Sequence, residues 1–168
     1  FSRRLEAEGE EGIFNTLLDG VRVRALEAAM VAASEDAKRL VLAGEDMLTL
    51  SAASALAGCS MYELSRRRRS NLVLALSVPG MRGRHYRFPA CQFEPRVCEV
   101  MPQLLALFSR GRPWQLYDFL RHPEPLLQGY IPLDLVRCGR AAEVLRVAKN
   151  AAALEQGATS PTCARRKA

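Results

Sequence analysis

At 168 residues, with 49% hydrophobic and 25% charged residues, the chain has the composition of a folded globular protein with one ordinary domain or two small ones, and not that of a disordered segment. No apolar run approaches the roughly 20 residues that a membrane helix needs; the longest, such as Leu72 to Leu76, stop after a few positions, so no membrane association is expected. The net charge of +6 is unevenly distributed: residues 1–46 carry −4, 61–90 carry +6 with seven arginines against Glu63, 91–130 are balanced, and 131–168 carry +4. The stronger positive field lies mid-chain and points to an anionic partner.

The chain opens on Phe1 rather than methionine, which leaves room for residues before it. Its five cysteines, Cys59, Cys91, Cys98, Cys138 and Cys163, are odd in number and form no C-x₂₋₄-C pair of the kind that binds zinc. With no signal-like segment in view, reduced thiols and a cytoplasmic location are expected. The two histidines, His85 and His122, are far apart in sequence, and no phosphate-binding glycine loop, zinc-protease pair or nucleophile elbow appears. The expectation is a protein without catalytic residues, metal or cofactor.

In chain order, apolar residues at Leu17, Leu18, Val21, Ala25, Ala28, Ala29, Ala32 and Leu40 predict one helix or two between about Ile13 and Ala43. Gly44-Glu-Asp46 stops it. Ser51 is the expected N-cap of a short helix over Ala52 to Ala57, and Gly58 breaks that helix. Ser60, with Glu63 three residues on, predicts a capping box and a second helix from Met61 to about Ser70. Leu72 to Val78 and Arg84 to Phe88 are strand-like, joined by Pro79-Gly-Met-Arg-Gly83, which predicts a β-hairpin. Helices follow over Met101 to Ser109, from Pro113 to about Arg121, over Leu133 to Arg137 after Pro132, and over Ala141 to Leu154.

Two short helices meeting at a glycine turn, followed by a hairpin, predict a helix-turn-helix with a wing. The fold class expected is therefore mainly α: a helix-turn-helix with a β-hairpin wing, followed by a small C-terminal helical domain. The boundaries expected are a helical oligomerisation segment over 1–46, the winged DNA-binding domain over 47–95, a helical domain over 96–157 and a basic tail over 158–168. The second helix of such a motif presents side chains to base edges and phosphates, so Ser60, Met61, Tyr62, Ser65, Arg66, Arg67, Arg68 and Arg69 are candidate DNA-binding residues, with Arg82, Arg84 and His85 on the wing. Four consecutive arginines sweep about 300° of a helix, so only part of the run can face one groove.

The stretch Arg112 to Arg140, with Pro113-Trp114 leading a helix, Pro125-Leu-Leu-Gln-Gly129, Pro132-Leu-Asp-Leu135 and Gly139, resembles the toxin-binding domain of Xre/MbcA/ParS-type antitoxins. Tyr86-Arg-Phe-Pro-Ala-Cys-Gln-Phe93 is similar to a segment that follows the DNA-binding part in such proteins. The resemblance implies a bacterial, dimeric antitoxin of a toxin–antitoxin system that represses its own operon and neutralises a toxin, typically of the RES type that consumes NAD. Trp114, Leu127, Gln128, Tyr130, Arg137 and Arg140 are then the candidate partner-binding residues. A winged motif departs from the all-helical DNA-binding part usual in that family, so the alternative is a stand-alone DNA-binding regulator or adaptor whose C-terminal part serves self-assembly. Either reading implies double-stranded DNA and a homodimer or higher homo-oligomer.

Overall fold

The computed structural model describes residues 2–78, 85–108 and 111–157, with side chains described over 22–78, 85–108 and 111–153. The chain divides into two compact units, residues 1–44 and 45–168.

The first unit is one uninterrupted helix, α1, Ser2–Leu42. Its alanine-rich middle has high helix propensity, and Arg39 in the last turn pairs with Asp36 at 3.1 Å and Glu35 at 3.9 Å, where a cation also complements the helix dipole. Val23, Leu26, Met30, Val31 and Leu40 are exposed along it.

The second unit is mainly helical with one small antiparallel sheet. The sheet pairs β1, Met47–Leu48, with β2, Phe88–Pro89, in the register Met47 opposite Pro89 and Leu48 opposite Phe88. Between them lie α2, Leu50–Leu56, and α3, Met61–Arg69. Ala53 of α2, Leu64 of α3 and Phe88 of β2 form a shared buried cluster. The N-cap of α2 is Thr49, whose hydroxyl accepts from the Ala52 N–H at 3.2 Å, and not Ser51 as predicted. Ser51 sits inside the first turn, where its carbonyl accepts from the Ser54 hydroxyl. The capping box forms by half: the Ser60 hydroxyl accepts from the Glu63 N–H at 3.1 Å, but the Glu63 carboxylate turns to arginines. Gly58, at φ +63°, ends α2 in the left-handed conformation that glycine adopts without a Cβ penalty. Cys59 N–H then reaches the Ser54 carbonyl, and Gly58 N–H that of Ala55.

The predicted strand over Leu72 to Val78 is not a regular strand. It is extended backbone with, among the described residues, a single antiparallel bridge, Leu76 to Arg87, and the predicted turn Pro79 to Gly83 lies outside the described residues. The reason is that a side chain occupies the position of a ladder partner. Gln92, 2% exposed in a 3-10 turn over Ala90–Phe93, accepts from the Leu74 N–H at 2.8 Å and donates through Nε2 to the Leu74 carbonyl at 2.9 Å and the Pro89 carbonyl at 3.2 Å. Three residues on, the Ser77 carbonyl accepts from Trp114 Nε1 at 3.0 Å.

Among the described residues four further helices belong to the unit: α4, Pro95–Leu107; α5, Pro113–Arg121; α6, Pro132–Arg137; and α7, Ala141–Gly157. α4 starts six residues before the predicted Met101 and runs through Pro102. The buried stripe Val97, Val100, Met101, Leu104 and Leu105 outweighs the hydrogen bond that Pro102, on the exposed side, cannot make. α4 packs against α5, α6 and α7, enclosing Leu116, Leu120, Leu133, Val136, Val144 and Ala148. α5 and α6 begin at the predicted prolines, and Gly139, at φ +86°, closes α6 as expected. Among the described residues, no helix is long and apolar enough to cross a membrane.

Replacing Gln92 by alanine removes the bonds to three backbone groups, the Leu74 N–H and the Leu74 and Pro89 carbonyls, and an unpartnered buried group costs about 1–3 kcal/mol, so a loss of stability of about 3 kcal/mol or more is expected, read as a lower urea midpoint at unchanged slope. Gln92→Met, which nearly keeps the volume, is expected to lose almost as much; if it retains wild-type stability, the interaction is one of packing and not of hydrogen bonding.

Candidate functional site

The arginine-bearing helix α3 is fixed at one end and along one side. Ser60 caps its start in extended backbone, and Leu64, fully buried, anchors its inner face. At 100° per residue, Tyr62, Ser65, Arg66 and Arg69 fall within a sector about 100° wide, opposite Leu64. Tyr62 is 73% exposed, and Arg66 and Arg69 are exposed as well. Met61, also exposed, lies on one flank of this stripe with Arg68, and Arg67 lies on the other.

The four arginines have unlike surroundings. Glu63 takes Arg66 through both oxygens, at 2.9 and 3.1 Å, and Arg67 through one, at 3.0 Å. These guanidiniums, Arg66 before Arg67, hold the Glu63 carboxyl below the usual carboxylate range, and Glu63 in turn raises Arg66. Arg68 leans over the Tyr86 ring, 4.0 Å from its centroid, a stacking worth about 0.5–1 kcal/mol at an exposed site. Arg69 reaches back to the Ser65 carbonyl at 3.4 Å.

Beside α3 a groove of about 580 Å³ opens between the start of α2, Ser65 and Arg68 of α3, and the extended segment over 85–88. Thr49, Ser51, His85 and Arg87 line it, and His85 is exposed. Arg87 and Thr49 were not among the sequence candidates. Period-2 alternation on an extended segment places His85 and Arg87 on one side of Tyr86, and that is the signal that finds Arg87. Of the wing candidates only His85 is described; Arg82 and Arg84 lie outside the described residues. Ser60 is occupied as a helix cap.

The candidate partner residues separate into internal and outward groups. Trp114 is half-buried, bonded to Ser77 and set edge-on to Tyr117 at 6.0 Å. Leu127 is 4% exposed and belongs to the core, whereas its neighbour Leu126 is 60% exposed. Arg137 binds Glu94 doubly, at 2.9 and 2.6 Å, and Asp134 at 3.1 Å, tying α6 to the start of α4. Gln128, in the left-handed region at φ +58°, Tyr130 and Arg140 face outward. The Arg140 guanidinium lies 5.9 Å from the Tyr130 ring and pairs with Glu143 at 2.8 and 2.7 Å. Leu126, Gln128, Tyr130 and Arg140 are thus exposed side chains of mixed apolar and charged character, with Glu143 half-buried beside Arg140.

Among the described residues, no group of three His, Cys, Asp or Glu side chains is placed to hold a metal ion. Burial pushes the Cys91 thiol up, away from the reactive thiolate. No protein-family model matches the chain, and no curated protein or solved structure is found to be similar to it. The resemblance to Xre/MbcA/ParS-type antitoxins therefore rests on its motif residues alone.

Glu63→Gln removes one negative charge and the pairing of two guanidiniums. The variant is expected to elute from a polyanion column at higher salt, with a salt slope steeper by about 1; unchanged elution would mean that Glu63 does not restrain the arginines.

Proposed function

We propose that this protein is a sequence-specific binder of double-stranded DNA, acting as an antitoxin that represses its own operon and neutralises a protein toxin. In this reading α2, the Gly58 turn and α3 are a helix-turn-helix, and the segments meeting at the Leu76–Arg87 bridge are the base of a wing. The observation that carries it is the outward stripe of Tyr62, Ser65, Arg66 and Arg69 on a capped helix whose opposite face is buried at Leu64. Such a stripe offers a hydroxyl, a phenol and two guanidiniums to one groove, matching the donor and acceptor pattern of base edges. The groove lined by Thr49, Ser51, Arg68 and Arg87 suits the flanking phosphate backbone. With Arg68 and Arg87 on phosphates, log affinity falls with log salt at a slope of about −2.

The resemblance of residues 112–140 supports a toxin partner, of the RES type, and the exposed face of Leu126, Gln128, Tyr130 and Arg140 is where it docks. Two copies reading a palindromic operator complete the assembly.

Arg66→Ala with Arg69→Ala is expected to weaken binding to the operator at least tenfold and to narrow the gap in affinity between the operator and unrelated DNA. Affinity equal to that of the wild type would overturn DNA binding through α3. For the partner, Leu126→Ala with Tyr130→Ala is expected to abolish capture of the toxin encoded beside this gene while leaving operator affinity unchanged. Wild-type protein that captures only itself would replace the antitoxin by a stand-alone regulator.

A further inference from the structure

We infer that α1 pairs with α1 of a second copy as an antiparallel two-helix coil along the seam Val23, Leu26, Met30, Ala33, Ala37 and Leu40. These six residues are spaced alternately three and four apart, the repeat that keeps one stripe of a helix facing a partner helix. The whole stripe is exposed: Val23 by 55%, Leu26 by 63%, Met30 by 65% and Leu40 by 76%, with Ala33 and Ala37 exposed between them. Val31, also exposed, lies to one side of the seam.

The order of large and small residues selects the direction. In a parallel pair each residue meets its own copy, so Ala33 and Ala37 face alanines while Leu26 and Met30 face equally bulky partners. Such a seam leaves two adjacent thin layers at Ala33 and Ala37, and interiors tolerate voids poorly. Reversed about the point between residues 31 and 32, Val23 meets Leu40, Leu26 meets Ala37 and Met30 meets Ala33, each twice. Both thin alanine layers are then filled by a large residue from the partner. The resulting six layers run over about 26 Å at 1.5 Å per residue.

A second consequence bears on the proposed function and rests on it. In the antiparallel register the two Leu42 ends are about 32 Å apart along the axis, close to the spacing of about 34 Å between half-sites one DNA turn apart. A parallel pair would bring those ends to a helix-packing distance of about 8–10 Å.

The experiment uses the full chain in the absence of DNA, so that its outcome does not depend on DNA binding. Leu26→Glu alone and Ala37→Lys alone are each expected to weaken the dimer at least tenfold in sedimentation, because either buries an unpaired charge in two layers. Mixed in equal amounts, the two variants are expected to form a heterodimer, in which the carboxylate introduced in one chain faces the ammonium introduced in the other and the second such layer is native. A Leu26→Glu protein that stays dimeric overturns the seam; a mixture that stays monomeric overturns the antiparallel register. The thermal transition of the second unit serves as the folding control, and as a second variant Leu40→Glu, at the end of the seam, is expected to dissociate the dimer like Leu26→Glu.

Discussion

Backbone that passes through the interior without a neighbouring strand must find partners for its N–H and carbonyl groups, and the segment from Leu72 to Val78 is in that position. Leu74 and Leu76 are buried, yet among the described residues Leu76 has a backbone partner, at Arg87, and Leu74 has none. Gln92 supplies the rest for Leu74, and its amide is suited to this because it carries a donor and an acceptor side by side, as a peptide group does. Through this one side chain the extended segment behind α3 is joined to the turn that leads into α4. The Trp114 bond to Ser77 does the same from α5. The position of the basic helix in the second unit therefore depends on polar groups that come from the helical half.

The charge run on α3 has a structural logic before it has a functional one. All four arginines sit in the last turn, where the partial negative charge of the helix end favours cations. Glu63 absorbs part of the mutual repulsion, and Tyr86 offers Arg68 a flat surface. A run that would destabilise the middle of a helix is thus tolerable at its end, while Arg66 and Arg69 stay on the side where Tyr62 and Ser65 project.

Much of the element order was legible because it is written in local signals. Ser60, Gly58, Pro113, Pro132 and Gly139 each mark a helix end through their own backbone preferences, and each stands where expected. What escaped is what depends on distant residues. Thr49 outcompetes Ser51 as a cap because β1 delivers the chain to α2 two residues earlier. The strand over Leu72 to Val78 reads as a strand from its β-branched and apolar residues, but Gln92, 18 residues away in sequence, takes the ladder position at Leu74. In the candidate site, exposure of Tyr62 and Arg66 follows from helix periodicity, whereas the binding of Arg66 and Arg67 by one carboxylate is a matter of rotamers. Leu127 and Leu126 are chemically alike, and only the fold decides which of them is core.

Asn71 stands in the left-handed conformation that closes α3, at φ +57°, so that Leu72 N–H reaches the Arg67 carbonyl and Asn71 N–H that of Arg68. Its side-chain amide donates to the Leu105 carbonyl at 2.8 Å, in the last turn of α4, where helix carbonyls lack partners of their own. One residue thus ends one helix and caps another. Glycine at this position would keep the turn but leave the α4 carbonyl bare, and aspartate would keep the shape but bring a negative charge to the negative end of a helix. Of the residues that accept this backbone, asparagine alone meets both demands, so the route by which this position can drift without loosening α3 from α4 is nearly closed.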